Sequence, residues 1–555
     1  MQVPEHWSDC KRTTILEGSV KISGHGYLLL SVCRRRWGRV TLVAFARLVL
    51  VLAGTVCAAQ APSAEGHANR ATELVQEGNL REAESELRSA VDLAPNDASF
   101  LTSLGTVLAM QRKFEESTGV FKRALKITPN DVTVRRYLAA NLWQLHRYSE
   151  ARQNLEIILK EKPDDKPARL LLGMVSENVK DYEKAAQMLA SVPEQVRQQP
   201  ESIAALARSY YHLGRTVAAQ ATLSELARFS GRPDVILLGA QIADEGKDYS
   251  TAVRMLSSIQ SSSSDPWKIS YKIALVQYHA QRFDESQHTL LMLIETHPSS
   301  EFYNLLGWCY HKQNHPDRAR QSLERAIELA PSDERNYLDL GEILVADRSF
   351  PAALGLAKRM TLALPDDARA FEFRGMAEAR VGQFSDSVVS YSRALQLDSS
   401  RPETLLGLAQ AQFDAGMKEE GTERFEAGLK QFPRDVRFKA RYAAILLKGS
   451  ETGDAHAEAR AESLLRSALA SDHSLPDVHF ELGNLALRKG RLAEAVRHLE
   501  EAEKLEPQSS EVHFALSRAY RRLGRKDQAS RELEFYRNLS NVPQSAVTLS
   551  GEQPR

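Results

Sequence analysis

From residue 64 onward, apolar residues recur at spacings of three and four, which places them on one face of an α-helix. Each such run ends in a short polar stretch and is followed by another of similar length. Residues 305–331, "LLGWCYHKQNHPDRARQSLERAIELAP", hold one whole unit of this pattern. Leu306 and Gly307 lie one helical turn before Tyr310, and after the polar turn Asn314 to Asp317 come Ala319, Leu323 and Ala326. The spacing predicts two helices, with Gly307 and Ala319 small where they cross so that the backbones approach closely. Pro331 has no N–H and clashes with the preceding turn, so it ends the second helix.

The prolines also set a period. The interval from Pro331 to Pro365 is the same as that from Pro95 to Pro129 and from Pro129 to Pro163. At about 34 residues, it is one of the few repeat lengths that points to a single helical architecture. Leu104, Gly105, Leu108, Phe121, Ala124 and Pro129 repeat the pattern of the first unit, as do Leu138, Ala139, Leu142, Ala151, Leu155 and Pro163. Further copies run through Leu340, Gly341, Leu344, Ala353 and Pro365, and through Leu482, Gly483, Gly490, Ala495, Leu499, Ala502 and Pro507. On these residues the chain resembles the tetratricopeptide repeat family. About fourteen units fit between residues 64 and 540, the least regular lying near 200–265 and 436–472. The resemblance implies an all-α fold, a right-handed superhelical solenoid of helix-turn-helix repeats. Length alone suggests three or four globular domains, but a solenoid has one continuous core and need not be divided that way.

Composition changes this picture little. Hydrophobic residues make up 43% and charged residues 26%, as in a folded soluble chain, and Gly and Pro recur at turns. The formal net charge is zero, but residues 1–59 carry 8 of the 72 Lys and Arg and 3 of the 72 Asp and Glu, so the remainder is acidic by 5. Cations alternate with anions along the helices, a pattern of solvated faces that gives no reason to expect a nucleic-acid partner. One local exception is "RAYRRLGRK", Arg518 to Lys526, a cationic cluster able to attract an anionic partner.

Residues 1–59 are read as a leader. Residues 34–66 pass from a cationic segment through an apolar one, about residues 40–57, to small residues, the order of a secretory signal peptide. Cleavage is expected after Ala59 or Ala61, with an uncleaved anchor from Val40 to Ala59 as the alternative, the only membrane contact expected. The expected location is therefore the periplasm or cell envelope. Cys10, Cys33 and Cys57 fall in the leader, leaving Cys309 with no internal disulfide partner and a packing role inside a helix.

The sequence holds no phosphate loop, dinucleotide fingerprint, HExxH, CxxC or nucleophile elbow. His311 and His315, four apart with Asp317 beyond, have the nearest thing to metal-ligand spacing, but His315 falls in the turn before Pro316. No catalytic residue, metal or cofactor is expected. In the family the first helix of each pair lines a concave groove through offsets 2, 5, 9, 12 and 13 of each unit. Carried onto this chain, those offsets give Trp143, Tyr211, Tyr271, Tyr278, Trp308, Phe413, Phe480 and Phe514 as groove aromatics. Large rigid rings suit an extended peptide or a partner helix. The family's clamp for a C-terminal carboxylate and its asparagine ladder have no matching set of residues here. The expected function is non-enzymatic binding of other proteins, as a scaffold or adaptor. The alternative is an accessory subunit of an envelope machine for exopolysaccharide export or pilus assembly. Repeats one to six are placed at 64–259 and seven to fourteen at 267–540, joined by a Ser-rich linker at 260–266, with a disordered tail at 541–555.

Overall fold

The computed structural model describes residues 63–449 and 454–540. The expected leader with its three cysteines, residues 450–453 of the polar insertion, and the tail lie outside the described residues. Every described element is helical, 29 α-helices and one short 3₁₀ segment, Glu225–Phe229. Two compact units divide between residues 293 and 294. Each stacks seven helix pairs; the remaining helix, Pro193–Val196, is a single turn. That turn and the 3₁₀ segment fall in or beside the repeats that are least regular in sequence. The Ser-rich stretch lies within the first unit, where the helix Tyr249–Gln260 packs on Pro266–His279 and Gln260 Nε2 donates to Ser270 Oγ at 2.8 Å.

Local sequence explains how each pair begins, turns and ends. Asp97, Asp131, Asp165, Asp333 and Asp367 cap first helices, their carboxylates accepting from the backbone N–H of the second or third helical residue. Between the helices of a pair, one residue adopts a left-handed conformation. It recurs at Gly78, Arg112, His146, Lys180 and Gly214, and again at Asn314, Arg348, Gly382 and Gly416, at the interval of the prolines in each run. The N–H that follows it reaches back across the turn, as in Lys113 N to Leu108 O at 2.9 Å and Arg147 N to Leu142 O at 2.8 Å. Second helices stop at Leu93, Ile127, Glu161, Leu329, Ala363 and Leu505, two residues before each periodic proline.

Within a pair, packing depends on one close approach. A Cβ added to Gly105 would stand 2.6 Å from Phe121, one on Gly173 2.5 Å from Leu189, and one on Gly307 2.7 Å from Leu323. Gly483 faces Leu499 in the same way at 2.6 Å. In all four the large side chain lies sixteen residues after the glycine, so the second helix sets one buried side chain into the gap that the glycine leaves. Four residues earlier on the second helix stands Ala185, Ala319 or Ala495, each fully buried, or a serine. Where it is serine, its hydroxyl donates to the first helix's carbonyl: Ser117 to Gly105 O at 2.5 Å, Ser286 to Ala274 O at 2.7 Å, Ser387 to Gly375 O at 2.7 Å. The polar atom is thereby satisfied in the crossing itself.

A buried histidine pair adds a pH-sensitive element in the penultimate repeat. His479 Nε2 faces the carbonyl of His473 at 3.2 Å, and its Nδ1 lies 3.1 Å from Nδ1 of His498. Burial, the neighbouring His479 and Arg497 lower the His498 pKa to about 4.

Two substitutions of one kind are expected to act in opposite directions. Gly307→Ala drives a methyl into Leu323 and costs about 1–3 kcal/mol, whereas Gly355→Ala, with open space around the added Cβ, stabilises by about 0.5–1 kcal/mol. Urea midpoints of the two variants check this, and a Gly307→Ala midpoint at or above the parent's contradicts the close-approach account. A second prediction concerns acid. Between pH 6.5 and 4 the unfolded His498 binds a proton that the folded one does not, so stability falls as pH drops through that window and is unaffected by this group above it. The effect is about 2 kcal/mol, and His498→Leu, compared with the parent in urea titrations at pH 7 and pH 4.5, flattens the decline by that amount.

Candidate functional site

First helices line one side of the stack in each unit. In the first unit Pro200–His212 touches Pro233–Glu245, and in the second Ala368–Arg380 touches Pro402–Asp414 and Pro476–Arg488 touches Ser510–Arg522. Side chains of successive repeats meet along this side. Arg208 lies 2.6 Å from Glu177 of the preceding first helix, and His279 Nδ1 lies 2.9 Å from Asp244. Arg401 reaches back to Glu372 at 2.9 Å, and the same carboxylate accepts from Thr404 at 2.6 Å.

A buried polar ladder joins two first helices of the second unit, Ser300–Lys312 and Glu334–Ala346. Asn304 Nδ2 donates to Asn336 Oδ1 at 3.0 Å and to Asp339 Oδ2 at 2.7 Å. Asn336 Nδ2 donates in turn to Ser300 Oγ at 2.8 Å. Burial raises the Asp339 carboxyl above the usual range, against the downward pull of Asn304 and Trp308. The ladder fixes the register between the two repeats and leaves a carboxyl that gives up its proton less readily on the inner face.

The eight predicted aromatics share the first-helix positions but not one environment. Trp143 is half-buried and packs on the core of the first unit. Tyr211 donates its hydroxyl to Asp248 at 2.8 Å, and its ring fills the space beside Gly246, so it braces the fold. Tyr271 is half-buried; Tyr278, also half-buried, lies edge-on to Phe283 at 5.5 Å. Trp308 is buried and meets His311 edge-on at 5.6 Å. Phe413 is half-buried and packs 5.9 Å from Phe425 while covering Gly421. Phe480 is half-buried against the C-terminal core, and Phe514 alone of the eight is exposed, at 42%. Much of this aromatic area therefore fills gaps between neighbouring helices, and the surface side chains on the same face are chiefly Arg, Glu, Asp, Asn and Gln.

Among the described residues, other residues with reactive side chains are scattered and do not converge on one site. Cys309 is buried within its helix. His315 is exposed at the start of Pro316–Leu329, His311 is half-buried beside Trp308, and Asp317 pairs with Arg320 at 2.6 Å. One group among the described residues, Glu503, His513 and Glu532, brings three potential metal ligands within 4.8 Å of one another. Both nitrogens of His513 already face acceptors, Glu532 at 2.7 Å and the Pro507 carbonyl at 3.0 Å. His479, the carbonyl of His473 and His498 occupy the same three positions one repeat earlier, so the geometry belongs to the repeat. Sequence reasoning overlooked the ladder residues Asn304, Asn336 and Asp339. Their only sequence signal is polar residues at first-helix positions that the apolar pattern does not claim.

Family profiles match segments in both units. Four family profiles, each described as "Tetratricopeptide repeat", match residues 142–206 and 486–536, residues 69–132 and 459–502, residues 300–333, and residues 204–225. No curated protein matches the chain. Among solved structures it is similar to the yeast Tom70, with 13% identity over 86% of this chain and 99% of that one and a TM-score of 0.38. It is also similar to the APC/C hetero-tetramer Cut9-Hcn1, with 14% identity over 88% and 95% and a TM-score of 0.35. A tetratricopeptide repeat protein from Parabacteroides merdae ATCC 43184 shows 18% identity over 51% and 98%, with a TM-score of 0.27. With the repeat profiles matched in both units and the same capped, glycine-notched helix pair recurring between the matched segments, the chain is a tetratricopeptide repeat protein with the all-α fold of that family.

Proposed function

We propose that this protein is a non-enzymatic scaffold, exported to the periplasm or cell envelope, that holds segments of partner proteins along the face formed by its first helices. The observation that carries the reading is the alignment of that face. Consecutive first helices touch, so side chains at corresponding positions form a strip from repeat to repeat within each unit. Arg208, Gln241, Gln410 and Arg488 lie along these strips and offer hydrogen bonds and charge to an extended chain, while the half-buried rings beside them offer apolar contact. Buried ladders such as Asn304–Asp339 hold the strip in register, which lowers the cost of ordering it when a partner binds. The cationic and then apolar order of residues 34–66 supports export.

Affinity purification of the tagged full-length chain from its host, with envelope and cytoplasm separated, tests the reading. The expected outcome is an envelope-associated chain carrying a stoichiometric protein partner. Tyr278→Ala is expected to lower partner recovery about tenfold with helicity retained. A partner-free chain recovered from the cytoplasm contradicts both export and scaffolding, and loss of helicity on Tyr278→Ala assigns that ring to the core.

A further inference from the structure

The last repeat gathers three groove cations without an ion pair among the described residues, where several earlier groove cations are paired. At groove offsets of earlier repeats, Arg136 lies 3.3 Å from Asp165, Arg208 2.6 Å from Glu177, Arg369 2.7 Å from Glu334 and Arg437 2.9 Å from Glu403. Counting Ser510 as one, the final first helix Ser510–Arg522 places Arg518, Arg521 and Arg522 at offsets 9, 12 and 13. All three are exposed, and among the described residues none of them forms an ion pair. Arg522 donates instead to the Leu487 carbonyl at 2.5 Å, which holds its guanidinium across the seam between the last two first helices. Arg518 stands 6.0 Å from the Phe514 ring, and that ring is propped at 5.0 Å by Tyr536.

The surrounding charges give the strip a direction. Arg488, Arg525 and Lys526 extend the cationic end, near the C-termini of the two helices. Asp477 and Glu511 lie in the first turns of the same helices, at the opposite end, with Phe480 and Phe514 one turn further in. Cations in a last helical turn also favour the helix dipole. That general effect does not account for the whole cluster: the position of Arg522 is cationic at Lys312, Arg380 and Arg488 too, but only the last first helix adds arginines at both offsets 9 and 12.

We propose that this strip docks an acidic peptide segment of a partner protein, with its carboxylates on Arg518, Arg521 and Arg522 and an apolar side chain on the exposed face of Phe514. The inference rests on the groove reading above and names the chemistry of one partner. Arginine's planar fork pairs with carboxylates in two-point geometry, and three such forks with no ion-pair partner among the described residues, beside an exposed ring, give both charge and apolar recognition. A nucleic acid fits less well. A phosphate chain running along the strip meets Asp477 and Glu511, and the chain beyond residue 59 is acidic by 5.

Fluorescence anisotropy with the full-length protein tests the proposal, using a fluorescein-labelled peptide of sequence Asp-Glu-Trp-Glu-Asp-Leu-Glu and, separately, a labelled twenty-residue oligothymidine. The peptide is expected to bind, more weakly as salt rises. The double variant Arg518→Glu, Arg521→Glu is expected to weaken it at least about tenfold and Phe514→Ala about threefold, with helicity and melting temperature unchanged. Arg123→Glu, on the second-helix surface of the first unit, leaves binding as it was. Absence of peptide binding, or an Arg518→Glu, Arg521→Glu protein that binds as well as the parent, overturns the proposal. So does oligothymidine binding as tight as the peptide's and lost with the same two substitutions. If the purified chain carries a partner from its host and the double variant retains that partner in full, the groove reading stands and this inference fails.

Discussion

The close approach of the two helices in each pair is the constraint on which the rest of the structure depends. A glycine on the first helix, at Gly105, Gly173, Gly307 or Gly483, leaves a gap that Phe121, Leu189, Leu323 or Leu499 fills. The filling atoms are large and rigidly placed, so they fix both the distance between the helices and their register. The left-handed turn residue and the aspartate cap then set where each helix ends and the next begins. Because pair after pair repeats one solution at a constant interval, neighbouring pairs stack with corresponding side chains aligned. Non-glycine residues such as Arg112, Lys180 and Arg348 hold the left-handed turn despite its steric cost, which shows how strongly the packed pair imposes it.

The proposed function follows from what this packing leaves over. The large apolar side chains are drawn into the seams between helices, so the first-helix face is furnished mainly with polar and charged groups held at fixed spacing. Many of those groups pair with one another from repeat to repeat, as Arg208 does with Glu177 and Arg401 with Glu372. A surface of paired charges discriminates among partners more through register and complementarity than through buried area. On the proposed reading, regions where the pairing lapses, above all at the final first helix, would offer an incoming segment groups with capacity to spare.

Much of this was legible in the sequence because the repeat is a local device. The proline period, the Gly307 and Ala319 crossing and the helix limits depend on residues within one unit, and spacing alone carried them. The 3₁₀ segment Glu225–Phe229 and the extra turn Pro193–Val196 fall where the pattern is weak, since there the chain departs from the repeat. What spacing did not carry is how far a groove residue is buried. Trp308 and Phe514 both sit on first helices at groove offsets, yet one is buried and the other exposed, because burial is decided by side chains of neighbouring helices that are distant in sequence. The ladder from Asn304 to Asp339 was hidden for the same reason: its partners come from separate repeats, and each looks like an ordinary polar surface residue in its own helix.

The central claim is that the first-helix face, and not the outer face, is where partners bind, and site-specific photo-crosslinking in the host tests it directly. A photoreactive residue at Gln241, Gln410 or Arg488, on first helices, is compared with one at Val217, Leu362 or Val389, which are exposed on second helices. The account predicts covalent adducts to a partner protein from the first set and none from the second. Adducts confined to Val217, Leu362 or Val389 contradict it and move the binding surface to the outside of the stack.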